Sequence, residues 1–124
     1  MSQGLSSKSS VLVTSETLVK RSITASASGD TDAHTPAAGK KIRLYFFGYS
    51  GGADVTGVLV GLKLEGYNAG AVIDQQYLIA AGQPYARNIQ GGKRYIEGEA
   101  DGKLIVNLSV AETVYVNYEV EEVD

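Results

Sequence analysis

The sequence predicts an all-β protein, a jelly-roll-like antiparallel β-sandwich of roughly eight strands with an extended N-terminal arm. Three observations indicate this fold. Apolar and polar residues alternate along several segments, turn-forming residues recur between them, and no segment shows a helical period. The composition agrees, because 15 Gly, 8 Tyr and one Met in 124 residues are typical of strands and tight turns.

Composition also excludes several classes of function. The chain has no cysteine, which excludes disulfide bonds, thiolate nucleophiles and cysteine-bound zinc. A net charge of -3 gives no general attraction for nucleic acid or anionic lipid, so neither a nucleic acid nor a membrane is an expected partner. The first residues lack the pattern of a signal peptide, and we expect synthesis in the cytoplasm.

We divide the chain into residues 1–20, an N-terminal arm with the first strand, and residues 21–124, the β-sandwich domain. Residues 1–9 are rich in serine and too polar to order on their own, which predicts a flexible arm. Residues 11–13 and 18–23 predict early strands. The small and polar residues 25–32 predict a loop.

Two central segments have the two-residue period of a strand. The first spans residues 41–49, and its predicted core face consists of Ile42, Leu44 and Phe46. Its opposite face is predicted to be amphipathic and aromatic, and consists of Arg43, Tyr45, Phe47 and Tyr49. The second spans residues 58–64, with Val58, Val60, Leu62 and Leu64 on one face.

The later segments predict further strands and turns. Residues 71–79 predict a strand, a turn at 74–76 and a short strand, and residues 81–92 predict a long loop that either binds a ligand or crosses the end of the sandwich. Residues 93–99 predict a strand, and the pair Asp101-Gly102 suits a two-residue hairpin turn. Alternation in 104–110 and 114–120 predicts a final hairpin.

Three features carry a resemblance to a known group of proteins. They are the polar loop that closes on Thr35-Pro36-Ala37-Ala38-Gly39-Lys40-Lys41-Ile42-Arg43-Leu44, a glycine-flanked central strand pair, and the stretch 98–109 followed by a last strand at 113–120. With these features, residues 23–121 resemble small virion proteins of tailed phages. The resemblance implies a compact jelly-roll module that decorates a capsid or sits on a tail, with an N-terminal arm that reaches onto a neighbouring subunit.

Candidate catalytic and metal-binding groups have simpler interpretations. His34 lies near Asp30 and Asp32, but no nucleophile elbow accompanies it, which favours an ordinary loop histidine over a Ser-His-Asp site. The same two aspartates lack the later carboxylates of a calcium loop, and a turn is favoured. We expect no metal and no cofactor.

Three glutamates offer the paired carboxylates that glycoside hydrolysis needs, namely Glu97, Glu99 and Glu119. Glu97 and Glu99 share a face of one predicted strand, where carboxylates more often protect an edge or aid solubility. The glycine-rich segments 48–52 and 91–93 lack the spacing of a phosphate-binding loop. The sequence therefore predicts a protein that is not an enzyme.

Aromatic side chains are the better candidates for a binding surface. Together with Lys40 and Lys41, the aromatic face of residues 41–49 has the composition of a base-stacking surface, but the acidic charge of the chain disfavours that interpretation. A sugar platform or a subunit contact stays open, and we favour the contact. The predicted partner-binding residues of the arm and the aromatic face are Leu5, Val11, Leu12, Val13, Tyr45, Phe47, Tyr85, Arg87 and Tyr95.

These expectations lead to a hypothesis of function. The chain is predicted to be a structural virion protein, a homotrimeric capsid decoration (cement) protein that stabilises a phage head. Its expected partners are further copies of itself and the major capsid protein, at the virion surface. The alternatives are a tail-associated or receptor-recognition module and a carbohydrate-binding domain.

Overall fold

The structure, a computed structural model, describes residues 18–88 and 95–124. Within these ranges the chain forms nine strands and one 3-10 turn, at Asn68–Gly70. The strands are β1 (Val19–Ala25), β2 (Gly29–His34), β3 (Lys41–Gly51), β4 (Val58–Leu64), β5 (Val72–Leu78), β6 (Pro84–Asn88), β7 (Ile96–Glu97), β8 (Leu104–Leu108) and β9 (Val114–Val123). No helix in the described ranges is long and apolar enough to cross a membrane.

The strands pair antiparallel in two sheets. The first sheet has the order β1-β9-β3-β6, with β7 beside β6 on the same edge of β3, and the second has the order β2-β8-β4-β5. Successive strands of the chain repeatedly change sheet, which is the connectivity of a jelly roll. The predicted antiparallel β-sandwich is confirmed.

The core lies between the sheets and is formed by alternate residues of the central strands. Four residues of β4 are fully buried, and the predicted face of this strand is confirmed. Each such Val or Leu stabilises the fold by about 1.5–3 kcal/mol relative to an exposed position. The remaining buried residues of the last two strands are Leu104, Val106, Leu108, Val114, Val116, Tyr118 and Val120.

A β-bulge in β3 reverses which residues face the core. Leu44 lies opposite Val120 and Phe46 lies opposite Glu119, so Tyr45 is an extra residue in the ladder. One extra residue shifts the two-residue period by one position. Phe47 is therefore fully buried, and the prediction that it shares an exposed face with Tyr45 is wrong.

Three segments predicted as loops or turns are strands. β2 begins inside the predicted loop 25–32, β5 runs without interruption through the predicted turn 74–76, and β6 lies inside the predicted loop 81–92. All three strands lie at sheet edges. An edge strand exposes one side of its backbone and carries polar residues, so its sequence resembles that of a loop.

Neither predicted hairpin forms. β7 pairs with β3 in the first sheet, whereas β8 pairs with β2 and β4 in the second, so Asp101-Gly102 lies in a connection between sheets. The connection from β8 to β9 also changes sheet. Asp101 has the positive φ of 64° that the pattern predicted, but its backbone N–H donates to the carbonyl of Lys40 at 2.8 Å.

The predicted arm is described from residue 18 onward. Its residues Val19 and Lys20 belong to β1, which pairs with β9. Leu5, Val11, Leu12 and Val13 lie outside the described residues.

Candidate interaction surfaces

An aromatic cluster lies on the outer face of the first sheet, at the bulge in β3. It consists of Tyr45, Tyr95 and Arg43, with Glu97 and Glu121 as carboxylate partners. The two tyrosine rings are 5.4 Å apart, and the Arg43 guanidinium carbon lies 4.6 Å from the centre of the Tyr95 ring. Regular alternation from Ile42 and Leu44 places Arg43 and Tyr45 on this outer face, and the bulge keeps Phe46 on the same side.

Charged hydrogen bonds hold this aromatic cluster together. Tyr45 Oη donates to Glu121 Oε1 at 2.8 Å, and Arg43 Nε donates to Glu97 Oε1 at 2.8 Å. Burial, followed by the bond to Glu121, raises the pKa of Tyr45, and the bond to Glu97 raises the pKa of Arg43. The two rings are tilted by 50° to each other, and the cluster combines aromatic area with paired charge, a composition suited to a protein contact or a sugar.

Tyr85 and Arg87 lie elsewhere, at the open side of the sandwich between β5 and β6. Arg87 Nη1 donates to Asp74 Oδ1 at 2.8 Å, and Tyr85 Oη donates to the same oxygen at 3.3 Å. The Tyr85 ring stacks on the buried ring of Tyr49 at 5.8 Å. The single aromatic face predicted from the sequence is thus divided between two surfaces.

Two buried polar atoms at this open side have no hydrogen-bond partner among the described residues, namely Tyr49 Oη and Asp74 Oδ2. The Asp74 side chain is only 8% exposed. Burial, reinforced by the Asp74 charge, raises the pKa of Tyr49 above its ordinary range. Sequence reasoning missed this group because it treated residues 74–76 as a turn.

His34 links the two sheets. Its side chain, 9% exposed at the end of β2, donates from Nε2 to Glu122 Oε2 of β9 at 2.7 Å. Nδ1 lies 3.0 Å from Tyr118 Oη, which donates to the carbonyl of Ala33 at 2.8 Å. The backbone N–H of Ala37 and the bond to His34 lower the pKa of Glu122.

The aspartates that suggested a triad with His34 are used in other contacts. Asp30 accepts hydrogen bonds from Lys63 and Asn107, and Asp32 accepts one from Lys103, all on the outer face of the second sheet. Within residues 18–88 and 95–124, no group of three or more His, Asp or Glu side chains is placed to hold a metal ion.

The described surface has shallow depressions. One of about 270 Å³ lies on the outer face of the first sheet and is lined by Lys20, Arg21, Ser22, Phe46, Asn117, Tyr118 and Glu119. A smaller one of about 150 Å³ lies at the open side and includes Phe47, Val72, Ile73 and Arg87. Both are smaller than the pockets of roughly 300–1,000 Å³ that hold most small ligands.

The four sheet edges are protected against further strand pairing. β1 carries Lys20 and Arg21, β2 carries Asp30 and Asp32, and β6 begins with Pro84. A proline or a charged side chain at an edge opposes pairing with another strand.

The β5 edge is protected by a side-chain amide. Gln83 Oε1 accepts the backbone N–H of Ile79 at 2.7 Å, and Gln83 Nε2 donates to the carbonyl of Tyr77 at 3.3 Å. The Gln83 amide therefore occupies backbone groups that a neighbouring strand would use.

Comparisons with known proteins support the fold. No family model matches the chain, and no curated protein matches it. A solved structure of Bacillus endospore appendages, described as a novel family of disulfide-linked pili, is similar over 86% of this chain and 88% of that one, with 14% identity and a TM-score of 0.50. This similarity supports the jelly-roll-like sandwich.

Two further solved structures are only weakly similar. The match to a CBM4 structure covers 88% of this chain and 84% of that chain, with 11% identity and a TM-score of 0.28. The match to a structure of infectious bursal disease virus, Gx strain, covers 86% of this chain and 37% of that chain, with 14% identity and a TM-score of 0.19. At these TM-scores neither bears on the function of the chain.

Proposed function

We propose that this chain is a structural protein that acts by self-association and by docking on a larger assembly, as a capsid decoration protein of a tailed phage. The observation that carries the proposal is how the charged side chains are used. Those with hydrogen bonds or ion pairs in the described ranges bridge strands, cap loops or link the two sheets, as His34, Asp54 and Glu112 do. The depression lined by Lys20, Arg21 and Glu119 is smaller than most ligand pockets, so we infer that binding rather than bond chemistry is the activity.

We propose a capsid as the larger assembly because the sequence resembles small virion proteins of tailed phages. The solved structure of similar fold belongs to endospore appendages that are described as disulfide-linked pili. This chain has no cysteine, so the contacts that we propose are not disulfide-linked. Many weak contacts repeated over a symmetric particle give stable attachment through avidity.

The test uses purified empty heads of the virus that encodes the chain, stripped of the protein. We expect saturable co-sedimentation and an increase in the temperature at which the heads disrupt. Absence of binding, together with unchanged head stability, would contradict the proposal.

A carbohydrate-binding or receptor-recognition module is the second candidate, and the aromatic cluster of Tyr45, Tyr95 and Arg43 favours it. A glycan array with the purified chain separates the two functions. A specific glycan signal that is lost in Tyr45→Ala, combined with no binding to heads, would replace the decoration function by this one.

A further inference from the structure

The lysine and arginine side chains of the chain are not all paired with carboxylates. Residues 18–88 and 95–124 contain eight of them, and six form an ion pair within 4.0 Å, namely Lys40, Lys41, Arg43, Lys63, Arg87 and Lys103. The other two, Lys20 and Arg21 of β1, form no such pair within these ranges. A chain of net charge -3 thus carries two adjacent cations without a direct partner.

Both cations border the larger depression on the outer face of the first sheet, which has a volume of about 270 Å³. Lys20 and Ser22 lie opposite Glu119 and Asn117 of β9, and all four side chains line the depression. Phe46 of β3 also lies opposite Glu119 and lines it. The depression therefore combines an aromatic ring, a hydroxyl, a side-chain amide and one carboxylate with two cations.

Small residues on either side of Asn117 keep the middle of this depression low. Ser22 lies opposite Asn117 on one side and Gly48 on the other. A Cβ atom at Gly48 would lie only 2.6 Å from Asn117 Oδ1, so a glycine is needed where this amide lies across β3. The side chains of Ser22 and Asn117 are exposed and have no hydrogen-bond partner among the described residues. Their donors and acceptors are thus available to a ligand.

The nearby carboxylates do not neutralise the two cations. Glu119 lies opposite Lys20 but forms no ion pair with it in the described part of the chain. Glu122 lies within electrostatic reach of Arg21, but its carboxylate is already bound to His34 at 2.7 Å. An anionic group that enters the depression therefore meets positive charge that no direct contact compensates.

We propose that this depression is a binding site for an acidic saccharide. Lys20 and Arg21 bind its carboxylate, and its ring packs against Phe46. Ser22 and Asn117 form hydrogen bonds with its hydroxyl groups. A depression slightly smaller than most ligand pockets holds one unit of a chain whose other units stay in solvent. This inference goes beyond the proposed function, because docking on a capsid does not require it.

Charge and topology favour a saccharide over two other acidic ligands. A nucleic acid is a long polyanion, which the net charge of -3 repels beyond this depression. An acidic peptide that binds a sheet does so by adding a strand at an edge, through backbone hydrogen bonds. This depression lies on the face of the sheet, where the pairing of β1, β9 and β3 already uses the backbone groups.

Three substitutions with the same change in charge provide a matched test. Lys20→Gln and Arg21→Gln each remove a cation at the depression, whereas Lys103→Gln removes one that is paired with Asp32 on the other sheet. The probes are trigalacturonic acid and its methyl ester, titrated into the full chain and followed by NMR chemical shifts. We expect the acid to bind more tightly than the ester. Each variant at the depression should weaken binding of the acid about threefold, and the double variant about tenfold.

Lys103→Gln is expected to bind the acid as the wild-type chain does, and a thermal melt of each variant verifies folding. No binding of the acid at millimolar concentrations, or equal binding of its methyl ester, would overturn the inference. Equal weakening by Lys103→Gln would indicate general charge attraction and overturn the site. Inorganic sulfate that binds there as tightly as the acid would overturn the choice of a saccharide. Docking on heads is measured separately, so a failure of either proposal is recognised by itself.

Discussion

The bulge at Tyr45 makes a quantitative prediction about two adjacent phenylalanines. Uninterrupted alternation from Ile42 would bury Phe46 and expose Phe47, whereas the structure buries Phe47 completely and leaves Phe46 partly exposed. Phe47 packs between the sheets, with its ring centre 5.7 Å from that of Tyr49. Alanine substitution at the two positions therefore distinguishes the two registers.

We expect Phe47→Ala to lower the free energy of unfolding by about 3–5 kcal/mol, the cost of removing a fully buried phenylalanine and leaving a cavity. Phe46→Ala loses only the burial of a partly exposed ring, about 1 kcal/mol. With a urea dependence of about 2 kcal/mol per molar, the midpoint falls by about 2 M for Phe47→Ala and by about 0.5 M for Phe46→Ala.

The assay is urea unfolding followed by far-UV circular dichroism and tyrosine fluorescence. If Phe47→Ala is too unstable to purify, Phe47→Leu retains most of the volume and is expected to cost roughly 1 kcal/mol. Equal losses at the two positions, or a larger loss for Phe46→Ala, would refute the bulge and with it the burial of Phe47 between the sheets.

Three further predictions concern strain, pH and the arm. Ala69 has a φ of 54°, so Ala69→Gly is expected to stabilise the fold by up to about 1 kcal/mol in thermal unfolding, and a destabilised variant would contradict the strained turn. The pKa of Glu122 is lowered in the fold, so its contribution to stability is complete above its ordinary pKa of 4.5 and is lost as the pH falls through its folded value. Glu122→Gln should therefore be less stable than wild type at about pH 6, with a smaller difference at about pH 3, and a difference independent of pH would exclude this role. Deletion of residues 1–17 is expected to preserve the unfolding midpoint and weaken assembly, and unchanged assembly would remove the arm from the proposed function.

Much of the fold was predictable because buried strands carry a strong alternating pattern. β4 and β9 bury every second residue, and their sequences show it directly. The register of β3 was not predictable, since nothing in its sequence distinguishes an extra residue at Tyr45 from regular alternation. Strand pairing was not predictable either, because a turn-forming pair such as Asp101-Gly102 specifies local backbone geometry and not the sheet that the next strand joins.

The candidate surfaces were predicted less well for related reasons. Tyr45 and Tyr95 of the predicted aromatic set lie together, whereas Tyr85 packs against Tyr49, which the bulge in β3 turns towards the core. The contacts of His34 with Glu122 and Tyr118 join positions more than 80 residues apart in the sequence. A local sequence pattern does not predict contacts between positions so far apart.

The contacts of the Gln83 amide have a consequence for the free chain in solution. A β-sandwich exposes its sheet edges to other molecules, and this glutamine makes the exposed end of β5 a poor template for incoming strands. The restraint is a single uncharged side chain, so it adds no charge repulsion at this edge. Gln83 thus opposes edge-to-edge strand pairing at this end of β5 and leaves contacts between side chains possible.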